Sequence, residues 1–181
     1  MRVLQTVGFE AVLSRFQREH PYDASDETNF NDDAEVNLHR AQEELGGRWH
    51  RVLLEGPEIW PVVLPWHLGE DGEVELIPKT GLTVAEATER LTALGTGYAR
   101  ANPMCAVKLD RQTGAERLAL YLSTRPISGP DYADMTARGG LIHMDGLHRM
   151  LAWAQAGLLS PGTWIEAYVA GLDPAQVAGR A

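Results

Sequence analysis

The chain has 181 residues, 44% hydrophobic and 23% charged, a balance that fits one globular domain with a substantial core. Twenty-five acidic against sixteen basic residues leave a net charge of −9. That weighs against a general nucleic-acid binder, because such proteins cluster Lys and Arg against backbone phosphates. Cys105 is the sole cysteine, which excludes intramolecular disulfides and multi-cysteine zinc sites. The N-terminus has no basic segment leading into a long apolar one, and no apolar run approaches the ~20 residues of a membrane span. A cytoplasmic protein with no membrane or nucleic-acid partner is expected.

Residues 7–19 are predicted to form a helix, with Phe9, Val12, Leu13 and Phe16 as its apolar stripe and Pro21 beyond its end. The stretch from Tyr22 to Asp33 is an acidic loop, most simply a solvated connector. Its Asp23, Asp26, Asp32 and Asp33 are hard oxygen donors but lack the spacing of a calcium loop. A second helix is expected from Asp33 to Leu45, with Ala34, Leu38, Ala41 and Leu45 on one face and Gly46 as its stop. Val52 to Glu55 is a strand candidate, followed by a Gly56-Pro57 turn. Ile59 to Trp66 is apolar, and Pro61 and Pro65 predict an edge strand or an extended arm. Trp49, Trp60 and Trp66 suit either core filling, the commoner use, or stacking on a ligand. A turn is expected at residues 69–72.

A strand is expected over Glu73 to Ile77, with Val74 and Leu76 on one face. Thr83 and Glu86 then make a capping box. It opens a helix striped by Val84, Ala87, Leu91 and Leu94 and broken by Gly95, Gly97 and Pro103. Met104 to Leu109 and Glu116 to Ser123 read as a hairpin's two strands around residues 110–114, with Leu118, Leu120 and Leu122 inward. The loop from Pro126 to Gly140 carries Asp131, Tyr132, Asp134 and Arg138, placed to wall a site.

Residues 139–154 concentrate the chemistry. A short strand, Leu141 to Met144, runs through a tight turn at Gly146 into a helix whose apolar face is Leu147, Met150, Leu151 and Ala154. Alternation puts His143 and Asp145 on one side of the strand and Ile142 and Met144 on the other. Asp145 suits the N-cap, while His148 and Arg149 fall in the first turn, where unpaired backbone N–H groups favour an anion. A capping carboxylate and a bound phosphate compete for the same donors. Asp145 is therefore also a candidate metal ligand or general base. Singly, each residue has a plain role: a cap for Asp145, a surface position for Arg149, a satisfied histidine for His143. Four ionisable groups within seven residues argue for more.

Asp145-Gly146-Leu147-His148-Arg149 resembles the Asp-Gly-x-His-Arg signature of the ParB/sulfiredoxin-like (ParB N-terminal domain-like) superfamily. The next strand, Thr163 to Val169, falls where that family returns to its sheet. The likeness is close over residues 140–170 and loose back to Glu73. It implies an α+β fold, a small, mixed, partly barrel-like sheet with flanking helices. The core would span 73–172, with residues 1–72 as an N-terminal helical, Trp-rich extension packed on it and 173–181 as a tail. Gly146, Leu147, His148 and Arg149 would hold nucleotide phosphates. Leu147 occupies the slot of the sulfiredoxin nucleophilic cysteine, which removes thiol-phosphate chemistry there. No DNA-binding module of the partition-factor kind is expected after the last strand.

The expected function is phosphoryl transfer from ATP or another nucleotide to a hydroxyl-bearing metabolite. Mg²⁺ would sit at Asp145, and Asp145, His143 and His148 would be catalytic. A second reading keeps the fold without the nucleotide and uses His143, Asp145 and His148 for acid–base or metal chemistry, with Arg149 gripping a carboxylate. A third is a regulator that binds a nucleotide or metabolite without turnover. The partner is a small molecule in each case, and a homodimer is compatible with the chain.

Overall fold

The computed structural model describes residues 1–21, 32–69, 72–136 and 140–173. Among them, seven strands form one mixed sheet: β1 (Arg2–Val7), β2 (Trp49–Glu55), β3 (Val63–Leu64), β4 (Leu82–Thr83), β5 (Leu120–Ser123), β6 (Ile142–Asp145) and β7 (Trp164–Ala170). Their order is β1-β2-β7-β5-β6-β3-β4. β7 lies parallel to β5 and β3 parallel to β6, and the other neighbours are antiparallel. Five helices flank the sheet: α1 (Phe9–Glu19), α2 (Asp32–Glu44), α3 (Val84–Ala101), α4 (Pro103–Gly114) and α5 (Leu147–Gln155).

Alternation along the strands divides the core in two. Val52, Leu54, Leu120, Leu122, Ile165, Ala167 and Val169 pack with α3, α4 and α5 on one side. Trp49, Tyr121, Ile142, Met144, Tyr168 and Ala170 pack with α1 and α2 on the other. The stripes predicted for α2 and α5 are buried throughout, Ala34, Leu38, Ala41 and Leu45, then Leu147, Met150, Leu151 and Ala154, whereas in the α1 stripe Val12 and Phe16 are buried and Phe9 and Leu13 only half-buried. The Thr83–Glu86 capping box is present, Thr83 Oγ1 accepting from the Glu86 amide at 3.2 Å while Glu86 accepts from the Thr83 amide at 2.7 Å.

The fold is α+β, but the sheet is open rather than barrel-like. β1 pairs only with β2 and β4 only with β3, so the two ends of the sheet stay apart. Residues 1–69 supply β1, β2 and β3 to this one sheet. β3 is interior, lying between β6 and β4. Pro61 and Pro65 flank its two paired residues and so cost no ladder bond. The expected strand at 73–77 reduces to a single bridge between His67 and Ile77.

The largest departure is residues 103–114, a helix rather than a hairpin strand. Asn102 stands at its N-cap and Pro103 opens it, the position where a missing N–H costs nothing. α3 is kinked at Gly95 (φ 53°, ψ −142°) and ends only at Ala101. Among the described residues no helix is long and apolar enough to cross a membrane.

Candidate functional site

β6 ends where α5 begins, and the turn between them decides what the side chains do. Gly146 holds φ at 111°, and a Cβ there would meet Leu120 Cδ2 at 2.5 Å, so glycine is required. The N-cap is Gly146, not Asp145. His143 Nε2 accepts the Leu147 amide at 2.9 Å, so a histidine rather than the carboxylate serves the open helix end. That bond places the proton of the neutral ring on Nδ1, which is buried without a partner. Tyr132 donates its hydroxyl to the His143 carbonyl at 3.1 Å.

Asp145 instead turns towards Arg149, and both are buried. The same guanidinium donates to the Ala119 carbonyl at 3.0 Å and lies 3.3 Å from His20 Nε2. His20, at the end of α1, is 3.6 Å from the Asp145 carboxylate. Burial alone would raise the Asp145 pKa, but Arg149, His20 and His143 together hold it below the usual carboxylate range. Glu19 adds a neighbouring polar knot, accepting from Tyr121 at 2.7 Å and from Arg15 at 2.7 Å.

Outside this buried pair lies a cavity of about 400 Å³. Its walls come from six places: the end of α1 with His20, α2 with Asp33, the arm after β3 with Trp66 and His67, α4 with Cys105 and Lys108, the loop with Asp131 and Tyr132, and the β6–α5 hinge. His67 Nε2 lies 3.3 Å from Cys105 Sγ, and the His67 and His148 rings meet edge to face with centroids 5.2 Å apart. One donor atom from each of His67, Cys105 and His148 lies within 4.8 Å of the others. The histidines are held neutral. Burial, then Lys108, pushes His67 down to about 4. Burial pushes His143 down to about 4 against the pull of Asp145. Burial, with His67 and Lys108 adding to it, drives His148 well below the ordinary value. Asp131 is raised by burial and by Asp33.

The arm carrying His67 is held by Asn102, which is fully buried. Its Nδ2 donates to the Leu68 and Val74 carbonyls at 2.7 and 2.9 Å, and its Oδ1 accepts the Val74 amide at 3.1 Å. Among the described residues, the bonds of this side chain all go to the loop that delivers His67.

Over its whole length, residues 1–181, the chain matches the model of a family described as a family of unknown function, DUF6309. The chain belongs to that family. No curated protein and no solved structure matches it.

The hinge brings together His143, Asp145, Gly146, Leu147, His148 and Arg149 at one wall of the cavity. Asp131, Tyr132 and Asp33 also line it, as does Trp66, whereas Trp49 is core. Asp23, Asp26, the Asp32 side chain, Arg138 and residues 174–181 lie outside the described residues. Sequence reasoning passed over His20, His67 and Asn102 and placed Cys105 on a distant strand. The Asn102-Pro103 step, a helix-start signal, was the cue that would have moved Cys105 onto α4.

Proposed function

We propose that this chain is an enzyme that acts on a small polar metabolite in the cavity at the β6–α5 hinge, by acid–base chemistry that needs no nucleotide. The observation that carries the reading is a pair of buried imidazole nitrogens, His143 Nδ1 and His148 Nε2, left without a hydrogen-bond partner beside a cavity of about 400 Å³. Buried polar atoms are almost always paired, and the exceptions call for a functional reason. The volume suits a small metabolite. His143 has a fixed tautomer, so it offers a neutral N–H donor able to polarise a carbonyl or hydroxyl oxygen. Asp145 positions Arg149 instead of acting on substrate.

Phosphoryl transfer from ATP with Mg²⁺, implied by the Asp-Gly-x-His-Arg resemblance, ranks second. It would need Leu147 N–H and Arg149 to release His143 and Asp145 before either gripped a phosphate. A Mg²⁺ at Asp145 would also have to displace Arg149.

The test is a thermal-shift panel of small carboxylates, amines and polyols beside ATP, ADP and CTP with Mg²⁺, each hit then followed for turnover by mass spectrometry. A ligand at about 100 times its Kd adds about 2.7 kcal/mol of stability, an easily visible shift. The expected result is a metabolite hit with turnover that His143→Gln abolishes. Stabilisation by nucleotides alone, or binding with no turnover, overturns the proposal. The second outcome favours a regulatory binding role.

A further inference from the structure

We propose that His67, Cys105 and His148 are the three protein ligands of a mononuclear transition-metal site, zinc foremost, whose fourth position opens into the cavity. The inference goes beyond the acid–base reading, with which it shares the unpartnered His148 Nε2, and rests otherwise on the geometry of His67 and Cys105.

The first is geometric. Three different elements, the arm after β3, α4 and α5, each deliver one nitrogen or sulfur donor to a volume in which all three lie within 4.8 Å. Donors at about 2.3 Å (sulfur) and 2.0 Å (nitrogen) from a tetrahedral zinc are roughly 3.5 Å apart. The observed His67 Nε2 to Cys105 Sγ separation is 3.3 Å. Nothing in the sequence alone juxtaposes residues 67, 105 and 148.

The second is the state of the donors. His148 Nε2 is buried and has no hydrogen-bond partner, an arrangement that costs stability unless something binds there. Neutral imidazole nitrogen is the form that ligates metal.

The third is the scaffold. Gly69 has φ +89°, and a Cβ there would press on Cys105 Sγ, so the backbone beside the sulfur stays bare. A Cβ on Gly72 would likewise strike Asn102, the side chain that fixes the arm.

The chemistry of the set chooses the metal. One thiolate and two imidazoles suit zinc and its transition-metal neighbours, whereas Mg²⁺ and Ca²⁺ prefer oxygen ligands. Asp145 is not part of the cluster, because its carboxylate is taken by Arg149. Three protein ligands with an open position are the pattern of catalytic rather than structural zinc. The open position would hold water or a polar group of the substrate, with His143 lining the same cavity.

The experiment uses the full chain, purified without chelator and without a metal-affinity step. Elemental analysis is expected to find about one transition-metal ion per chain. Chelation followed by Co²⁺ should give the ligand-field bands of tetrahedral cobalt and a thiolate-to-cobalt charge-transfer band. Cys105→Ser should remove the charge-transfer band, and His67→Ala should weaken Zn²⁺ binding at least about tenfold, circular dichroism confirming that both are folded. Should either variant fail to fold, alkylation of native Cys105 with iodoacetamide replaces it: Zn²⁺ should block the reaction and a chelator restore it. His143→Gln should keep the metal while losing turnover, so the metal site and the acid–base reading fail separately. No saturable Zn²⁺ binding, a cobalt spectrum without the thiolate band, or alkylation indifferent to Zn²⁺ would overturn the proposal and leave a His67–Cys105 thiol contact alone.

Discussion

Arg149 follows Asp145 by one helical turn and folds its guanidinium back onto that carboxylate, so the most basic residue of the hinge is neutralised inside the protein. The pair is sealed further by His20 and the Ala119 carbonyl. Removing one partner strands the other as a buried charge, whose cost exceeds any Coulombic gain lost. Arg149→Leu is therefore expected to destabilise the fold by about 3–5 kcal/mol, read from denaturant unfolding. A loss below about 1 kcal/mol, the range of a solvent-screened pair, would mean that the guanidinium is free to serve a ligand.

Asn102 is the prediction that separates arm from fold. Asn102→Ala leaves two carbonyls and one amide of the 68–74 loop without their partner. A cost of about 1–3 kcal/mol per stranded buried group sets the scale. Because those groups sit in the arm bearing His67, hydrogen exchange should rise first at Leu68 and Val74 rather than in β5 or β7. Uniform loosening of the sheet would refute a local role.

What the sequence disclosed was whatever rests on short-range order. The β6 alternation, the Gly146 hinge, the α2 stripe and the Thr83–Glu86 box each need only neighbours within one or two turns. α4 escaped because its buried stripe is just Cys105 and Leu109, with Val107 53% exposed, so residues 104–109 carry too little periodicity to tell helix from strand. The order of the sheet escaped because β7 joins β5 to β2 through pairings that no local pattern encodes. The hinge was legible as a concentration of ionisable groups, but not how they pair. Nothing local says that His143 takes the Leu147 N–H while Asp145 meets Arg149.

Acid should loosen the fold before it touches surface carboxylates. His143 falls from the ordinary 6.5 to about 4 in the folded chain, so the unfolded chain binds more protons between those values. Stability is full above about pH 6.5 and declines as pH falls towards 4, with an expected loss from this group of ~3 kcal/mol. Asp145 pulls the same way lower down, since its depressed pKa makes its contribution vanish as pH falls through the folded value. Urea midpoints of chelated protein should therefore fall between about pH 7 and about pH 4.5, and less steeply in His143→Gln. A variant with an unchanged slope would place the titrating group elsewhere.

Two glycines should respond oppositely to alanine, for reasons visible in the backbone. Gly146 combines φ of 111° with Leu120 Cδ2 at 2.5 Å and Arg149 Nη2 at 3.2 Å from where a Cβ would lie. Gly146→Ala thus adds conformational strain to a clash with the buried ion pair, for an expected loss of about 1–3 kcal/mol or more. Gly97 lies in α3 with nothing within 4 Å of a new Cβ and no positive φ. There alanine removes only unfolded-state freedom and is expected to stabilise by about 0.4–1 kcal/mol. Thermal unfolding of the two variants side by side checks the contrast. If Gly146→Ala proved neutral, the tight turn that aims His143 and Arg149 would not be a fixed feature of the hinge.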